Sequence, residues 1–206
     1  MRRLPCSAMP MRVAVCISGR GSNLQSLLAA LDSGAPAAVV LVISNSAEAG
    51  GLELARSHGI PAVVLRDHCD GTELLGLLDQ YRIDLVVLAG YLKMVPPVVV
   101  ERYRGRMINI HPALLPAFGG PGMYGSRVHR AVIAAGVPES GATVHLVDEE
   151  YDRGQILAQG RVPVRPDDSP EQLAARVLEV EHRLLPAVVL AAARAGRPVP
   201  LDPSTE

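Results

Sequence analysis

The sequence predicts an α/β domain built on an open, mostly parallel twisted sheet with helices on both faces. Three observations predict it. Short β-branched runs alternate with amphipathic helical stretches over the first two-thirds of the 206 residues. Those runs are apolar at nearly every position, as strands covered on both faces must be. The composition, 49% hydrophobic and 20% charged, supplies a substantial core for a chain of single-domain length.

In chain order, RVAVCIS (12–18) is the first strand, followed by the turn GRGSN and the helical LQSLLAALDSG. AAVVLVISN (37–45) is the next strand. AEAGGLELARSHG (47–59) reads as a helix closed by Gly59, with Pro61 beyond it. AVVL (62–65) is a strand, GTELLGLLDQYR (71–82) a helix, and DLVVLAGY (84–91) another strand. PPVVVERYRG (96–105) is a short helix opened by prolines, and RMINIH (106–111) a further strand. After Gly141 the pattern changes: ATVHLVD (142–148) and QILAQGRVPV (155–164) predict an antiparallel pair that extends the sheet. The last helix opens on Ser169-Pro170-Glu171-Gln172, a capping box with Pro at the first helical position. It runs to Gly196, with a kink expected at Pro186. The organisation expected is a disordered lead-in over 1–10, a single domain over 11–196 and a loose C-terminal tail over 197–206.

Composition excludes several function classes. The formal net charge is -1, with no Trp and one Phe, which suits neither a nucleic-acid nor an acidic-membrane partner. No apolar run is clean and long enough to span a membrane, and the start MRRLPCSAMP lacks the apolar stretch of a secretory signal. The three cysteines, Cys6, Cys16 and Cys69, have no CxxC spacing, and the six histidines form no HxxxH or HExxH. A cytoplasmic protein without a metal site is expected.

Two segments carry chemistry. In ISGRGSNL (17–24) two glycines join a strand to a helix, and the free N–H groups of Gly21, Ser22 and Asn23 point at an anion. A side chain at Gly21 is expected to crowd that anion. A capped βα turn explains this motif alone equally well. The turn lacks the Gly-Lys-Ser/Thr of a nucleoside-triphosphate loop. Position 24 is Leu where the dinucleotide fingerprint needs Gly, so a monophosphate fits best. In MINIHP, Asn109 and His111 are two apart in a strand and face the same way, near its carboxyl end. Taken alone, Asn-x-His is more often a structural Asn beside a satisfied core histidine. As a functional pair it is a neutral donor beside a titratable one, an oxyanion site. The acidic loop VDEEYDRGQI supplies a third group, and Asp152, before an Arg-Gly turn, has the position for it.

The segments ISGRGSNLQSLL, ISNSAEAGGLELARSHGIP, VVLAGYLKMV, NIHPALLPAFGG, GMYGSRVHRAV, SGATVHLVDEEYDRGQI and ARVLEVEHRLLP cover nearly all of residues 11–190. Together they resemble the phosphoribosylglycinamide (glycinamide ribonucleotide) formyltransferase family, folate-dependent transferases of purine biosynthesis and one-carbon metabolism. The ordered combination of GxGSN, NIHP-x-LLP and D-x-G is specific. The resemblance implies a formyltransferase fold with a Rossmann-like N-terminal half. It implies catalytic roles for Asn109, His111 and Asp152, a phosphate loop at Gly21, Ser22 and Asn23, and a ribose-binding acid at Glu181. Folate binding is implied at Leu92, Lys93, Met94 and Val95, with Asn109 and the loop at Asp148 contributing. One departure stands out: RDHCDGTELL is shortened and lacks the basic residue that in relatives meets the folate glutamate tail, leaving Arg66 or His68 as substitutes.

The activity implied is transfer of formyl from 10-formyltetrahydrofolate, a co-substrate, to the amine of glycinamide ribonucleotide. Asn109 and an imidazolium His111 would hold the oxyanion, and Asp152 would favour the charged ring and help water move the proton. Neither metal nor covalent nucleophile is required, and monomer and homodimer both remain open. Formyltetrahydrofolate deformylases and methionyl-tRNA formyltransferases share this core but carry an extra domain, and the latter a basic surface; this chain is too short and not basic. A non-catalytic nucleotide-binding module has no use for the three aligned polar groups.

Overall fold

A computed structural model describes residues 9–32 and 34–201. In β1 (Met11–Ile17) every residue from Val13 on is buried. Val13, Val15 and Ile17 pack into the core on one side of the sheet, Ala14 and Cys16 into the core on the other. The same two-sided burial makes β2 (Ala37–Ser44), β4 (Leu85–Leu88) and β5 (Met107–His111) interior strands, with the short β3 (Ala62–Val64) at one edge. β6 (Glu139–Leu146) and β7 (Ile156–Pro163) complete a seven-stranded sheet of order β3-β2-β1-β4-β5-β6-β7. The first five strands are parallel, and β6 and β7 join antiparallel, as the change of pattern after Gly141 predicts.

Helices cover both faces. α1 (Ser22–Ala30), α2 (Gly50–Ser57), α5 (Ser126–Ala134) and α6 (Pro170–Ala195) pack on one core through Leu24, Leu27, Leu52, Val128 and Leu173. α3 (Gly71–Gln80) and α4 (Pro97–Arg102) cover the other with Leu74, Leu78 and Val99. Each fully buried Leu contributes roughly 1.5–3 kcal/mol. The capping box of α6 is formed: Gln172 N–H donates to Ser169 Oγ at 3.2 Å, and Ser169 N–H to Gln172 Oε1 at 2.8 Å. α6 continues through Pro186 and stops at Gly196, whose φ of 72° only glycine adopts readily.

Two features differ from the sequence expectation. α5 had no predicted counterpart. It starts at Gly125 with no capping side chain, directly after a glycine-rich stretch that gives no start signal. The C-terminal segment is not loose as far as Leu201, whose N–H donates to Leu157 O at 2.8 Å. The lead-in over 1–8 and the last residues, 202–206, lie outside the described residues. Among the described residues no helix is long and apolar enough to cross a membrane.

The strand order reverses between β1 and β4, which opens a crevice above their carboxyl ends. The glycine-rich turn leaves β1 there, the 89–96 loop leaves β4, and the next strand, β5, ends in His111.

Candidate active site

A cleft of about 700 Å³ lies along this edge. Asn109 and His111 both line it. The antiparallel register of β5 on β6 sets Asn109 opposite His145 and His111 opposite Thr143. His145 Nδ1–H donates to Leu146 O at 2.8 Å, and Nε2 lies 3.1 Å from Asn109 Nδ2 and 3.5 Å from Asp152 Oδ1. The second Asn109 amide hydrogen faces Asp152 Oδ1 at 3.5 Å, too long to compete with a better acceptor.

Asp152 reaches this corner from the β6–β7 loop in the left-handed region, with φ 55°. Aspartate tolerates that conformation better than most residues. Gly120 N–H donates to Asp152 Oδ2 at 2.8 Å. Gly119 packs so closely that a Cβ there would lie 3.1 Å from Asp152 Cβ. The glycine of the D-x-G motif has a similar cause. A Cβ on Gly154 would strike Leu146 O, because the loop folds back tightly on β6. Burial pushes the Asp152 pKa up, but His145, His111 and the Gly120 N–H outweigh it and hold the carboxyl below its ordinary value.

His111 is 4% exposed. Its Nε2–H donates to Phe118 O at 2.8 Å, and Nδ1 stands 3.6 Å from Asp152 Oδ2, an ion-pair distance. Burial pulls the ring's pKa down, whereas Asp152 and the Phe118 carbonyl push it up. Asp152 therefore acts in the expected direction. Burial wins, however, and His111 rests below the ordinary histidine value, where the sequence reading expected a ring already charged.

At the other end of the cleft, Ser22 and Asn23 open α1 and line the cavity beside Arg20. First-turn N–H groups have no intrahelical acceptor and face the space. Gly21 also has a packing role: its φ is 82°, and a Cβ would lie 2.8 Å from Gly51 Cα, so its lack of a side chain lets the starts of α1 and α2 approach closely. Asn23 Nδ2 donates to Glu181 Oε2 at 2.6 Å, joining residues 158 apart. Glu181 is buried, which pushes its pKa up; the Asn23 bond opposes this only in part.

The wall between the two ends is the loop after β4. Ser18 Oγ accepts from Leu92 N–H at 2.8 Å and Ser18 N–H donates to Gly90 O at 3.1 Å, pinning the loop to β1. Leu92, Lys93 and Met94 are exposed along the cleft and Val95 is buried beneath it. Asp148 lines the same wall and accepts from Glu150 N–H. Arg66 is tied to Glu73 at 3.1 Å, and Arg66 and His68 both lie outside the cleft lining. Among the described residues, three groups able to ligate a metal gather at exposed Asp67, half-buried His68 and exposed Cys69, a trio that does not line the cleft.

The cleft thus brings together Asn109, His111, Asp152, Ser22, Asn23, Glu181, Asp148 and the 92–95 segment, while Gly21 stands just behind it. Sequence reasoning missed His145 and the Phe118 carbonyl. Thr143 and His145, two apart in a predicted strand, repeat the spacing of Asn109 and His111 and were the available signal.

An open α/β sheet carries a polar Asn-His-Asp corner and a helix N-terminus in one crevice, the arrangement of an α/β enzyme. The chain belongs to the formyl transferase family, whose model matches residues 11–189. It is 48% identical to a chloroplastic phosphoribosylglycinamide formyltransferase of Arabidopsis thaliana over 86% of this chain. It spans 64% of that relative's length, just under two thirds. It is 42% identical to the Haemophilus influenzae phosphoribosylglycinamide formyltransferase, covering 86% of this chain and 85% of the other. The crystal structure of glycinamide ribonucleotide transformylase 1 from Symbiobacterium toebii superposes with a TM-score of 0.87 at 36% identity, covering 98% and 99% of the two chains.

Proposed function

We propose that the protein transfers formyl from 10-formyltetrahydrofolate to the amine of glycinamide ribonucleotide, yielding formylglycinamide ribonucleotide and tetrahydrofolate. The observation that carries this reading is the two-ended cleft. One end holds an oxyanion corner, and the other holds a buried carboxylate beside a helix N-terminus. The α1 N–H groups suit a phosphate and Glu181 suits ribose hydroxyls. The half-exposed Leu92 and Met94, with backbone polar groups of the 89–96 loop and the Asp148 loop, suit the flat, amide-rich ring of a folate.

The amine attacks the formyl carbon, and the carbonyl oxygen gains charge. Asn109 Nδ2–H supports that charge directly. His111 supports it after taking a proton from solvent, an uptake that the developing negative charge favours. Asp152 balances the imidazolium and positions water to carry the amine's proton to the departing nitrogen. Cytoplasmic action on small molecules, as a monomer or homodimer, belongs to the same reading. The cysteines that the structure describes, buried Cys16 and exposed Cys69, are both unpaired, as suits a reducing compartment.

Single-turnover assays with 10-formyltetrahydrofolate, with and without glycinamide ribonucleotide, test it. Formyl should leave folate only when the ribonucleotide is present and should appear on its amine. Release into water at a rate indifferent to the ribonucleotide would make the protein a hydrolase and overturn the reading.

A further inference from the structure

α5 carries a histidine that the mechanism above leaves unused. His129 is 6% exposed and lines the cleft. Its Nδ1 is buried without a partner among the described residues, and no described group bonds the other ring nitrogen. An orphaned buried N–H is costlier and rarer than an orphaned lone pair. The proton therefore sits on Nε2, on the cleft side. Burial and the neighbouring His111 both hold the ring's pKa below the ordinary value, so the ring stays neutral. A neutral donor with no acceptor in the protein is built for an acceptor on a ligand.

Position narrows that ligand group. α5 packs on α6, the helix of Glu181, and His129 lines the same cleft as Glu181 and His111. With phosphate at α1 and hydroxyls at Glu181, the acceptor left on the ribonucleotide near the reacting amine is its amide carbonyl. We propose that His129 Nε2–H binds the amide carbonyl oxygen of the glycinamide arm and so aims the adjoining amine at the formyl carbon. This rests on the ribonucleotide reading above and makes His129 a specificity-determining residue.

The test compares the parent, His129→Leu and His129→Gln on two acceptors: the ribonucleotide and an analogue with CH2 in place of its amide C=O. In the parent the analogue should have a KM about tenfold higher, the worth of one neutral hydrogen bond. His129→Leu should raise the ribonucleotide KM about tenfold, leave the folate KM unchanged and no longer discriminate against the analogue. His129→Gln, which keeps a donor, should recover most of the loss. A purely structural role predicts a lower Tm with discrimination intact, and that result would overturn the proposal. If neither variant folds, 15N NMR of the parent's ring decides. The Nε2–H signal should shift on adding ribonucleotide while the ring stays neutral, and an unmoved signal would overturn the assignment. A parent that forms no formylated ribonucleotide refutes the acceptor itself, whereas a parent that turns over while His129→Leu still discriminates refutes only the part given to His129.

Discussion

The two ends of the cleft are held by opposite strategies. At the oxyanion corner nearly every polar group already has a protein partner. His111 has the Phe118 carbonyl and Asp152, Asn109 has His145, and Asp152 has the Gly120 N–H. At the ribose end a buried carboxylate has one bond, to Asn23, and the Asn23 side-chain oxygen has no partner among the described residues. The corner is preorganised, so its groups do not have to rearrange when charge develops. The other end turns polar groups with few protein partners toward the cleft, where a ligand can bond them.

Four variants break or sharpen this contrast. The largest effect is expected at His111. His111→Ala should lower kcat by roughly 10²- to 10⁴-fold with substrate KM values little changed, read by steady-state kinetics. Unchanged kcat in a folded variant would reduce the corner to a packing feature.

Asp152→Asn comes next. It keeps shape but removes the charge that pushes the His111 pKa up. The ring's pKa, already below the ordinary value, should fall further, so the imidazolium is lost at lower pH and activity with it. At neutral pH a kcat loss of roughly 10²-fold is expected, near the low end for acid–base groups. NMR titration of the ring beside the pH–rate profile checks both. An unmoved pKa with a large rate loss would assign Asp152 to water positioning alone.

Glu181→Gln probes the ribose end. The ribonucleotide KM should rise roughly 10- to 100-fold, the loss of a charged hydrogen bond of about 1.5–3 kcal/mol, with kcat less affected. Stability should move the other way. Because burial raises the Glu181 pKa, the folded state holds that proton more tightly than the unfolded chain. Stability is then full below the ordinary Glu value of 4.5 and declines as pH rises through the raised folded value. The Gln variant should lack this decline and melt higher than the parent at pH 8. A lower Tm at that pH would mean that the carboxylate stabilises the empty protein.

Gly21→Ala is the smallest. Left-handed strain and the contact with Gly51 should cost about 1–3 kcal/mol in denaturant unfolding and raise the ribonucleotide KM only a few-fold. A tenfold change in folate KM instead would detach this turn from the phosphate.

The contrast also marks what was legible in the sequence. The corner's own strand was readable, because period-two spacing puts Asn109 and His111 on one side whatever the rest of the chain does. Its partner His145 was not. Facing Asn109 depends on the register of two antiparallel strands, set by packing far from either residue. The resting charge of His111 was hidden for a similar reason: burial depth decides it, and no local pattern reports depth. Asn23 was readable in the glycine-rich turn, but Glu181 came only through resemblance, and the bond that joins them across 158 residues was not legible. α5 escaped because glycines crowd its start and no side chain caps it, whereas the capping box of α6 announced that helix.

That 158-residue span has a consequence for how the protein comes into being. Chains leave the ribosome N-terminus first. β1, α1 and the Asn109–His111 strand emerge well before α6, the last helix. The two partners that close the acceptor end are thus made at opposite ends of synthesis, and that end is complete only once α6 has docked. Removing α6 exposes Asn23 and deletes Glu181 together, so proteolysis at the C-terminus disarms the acceptor site in one cut.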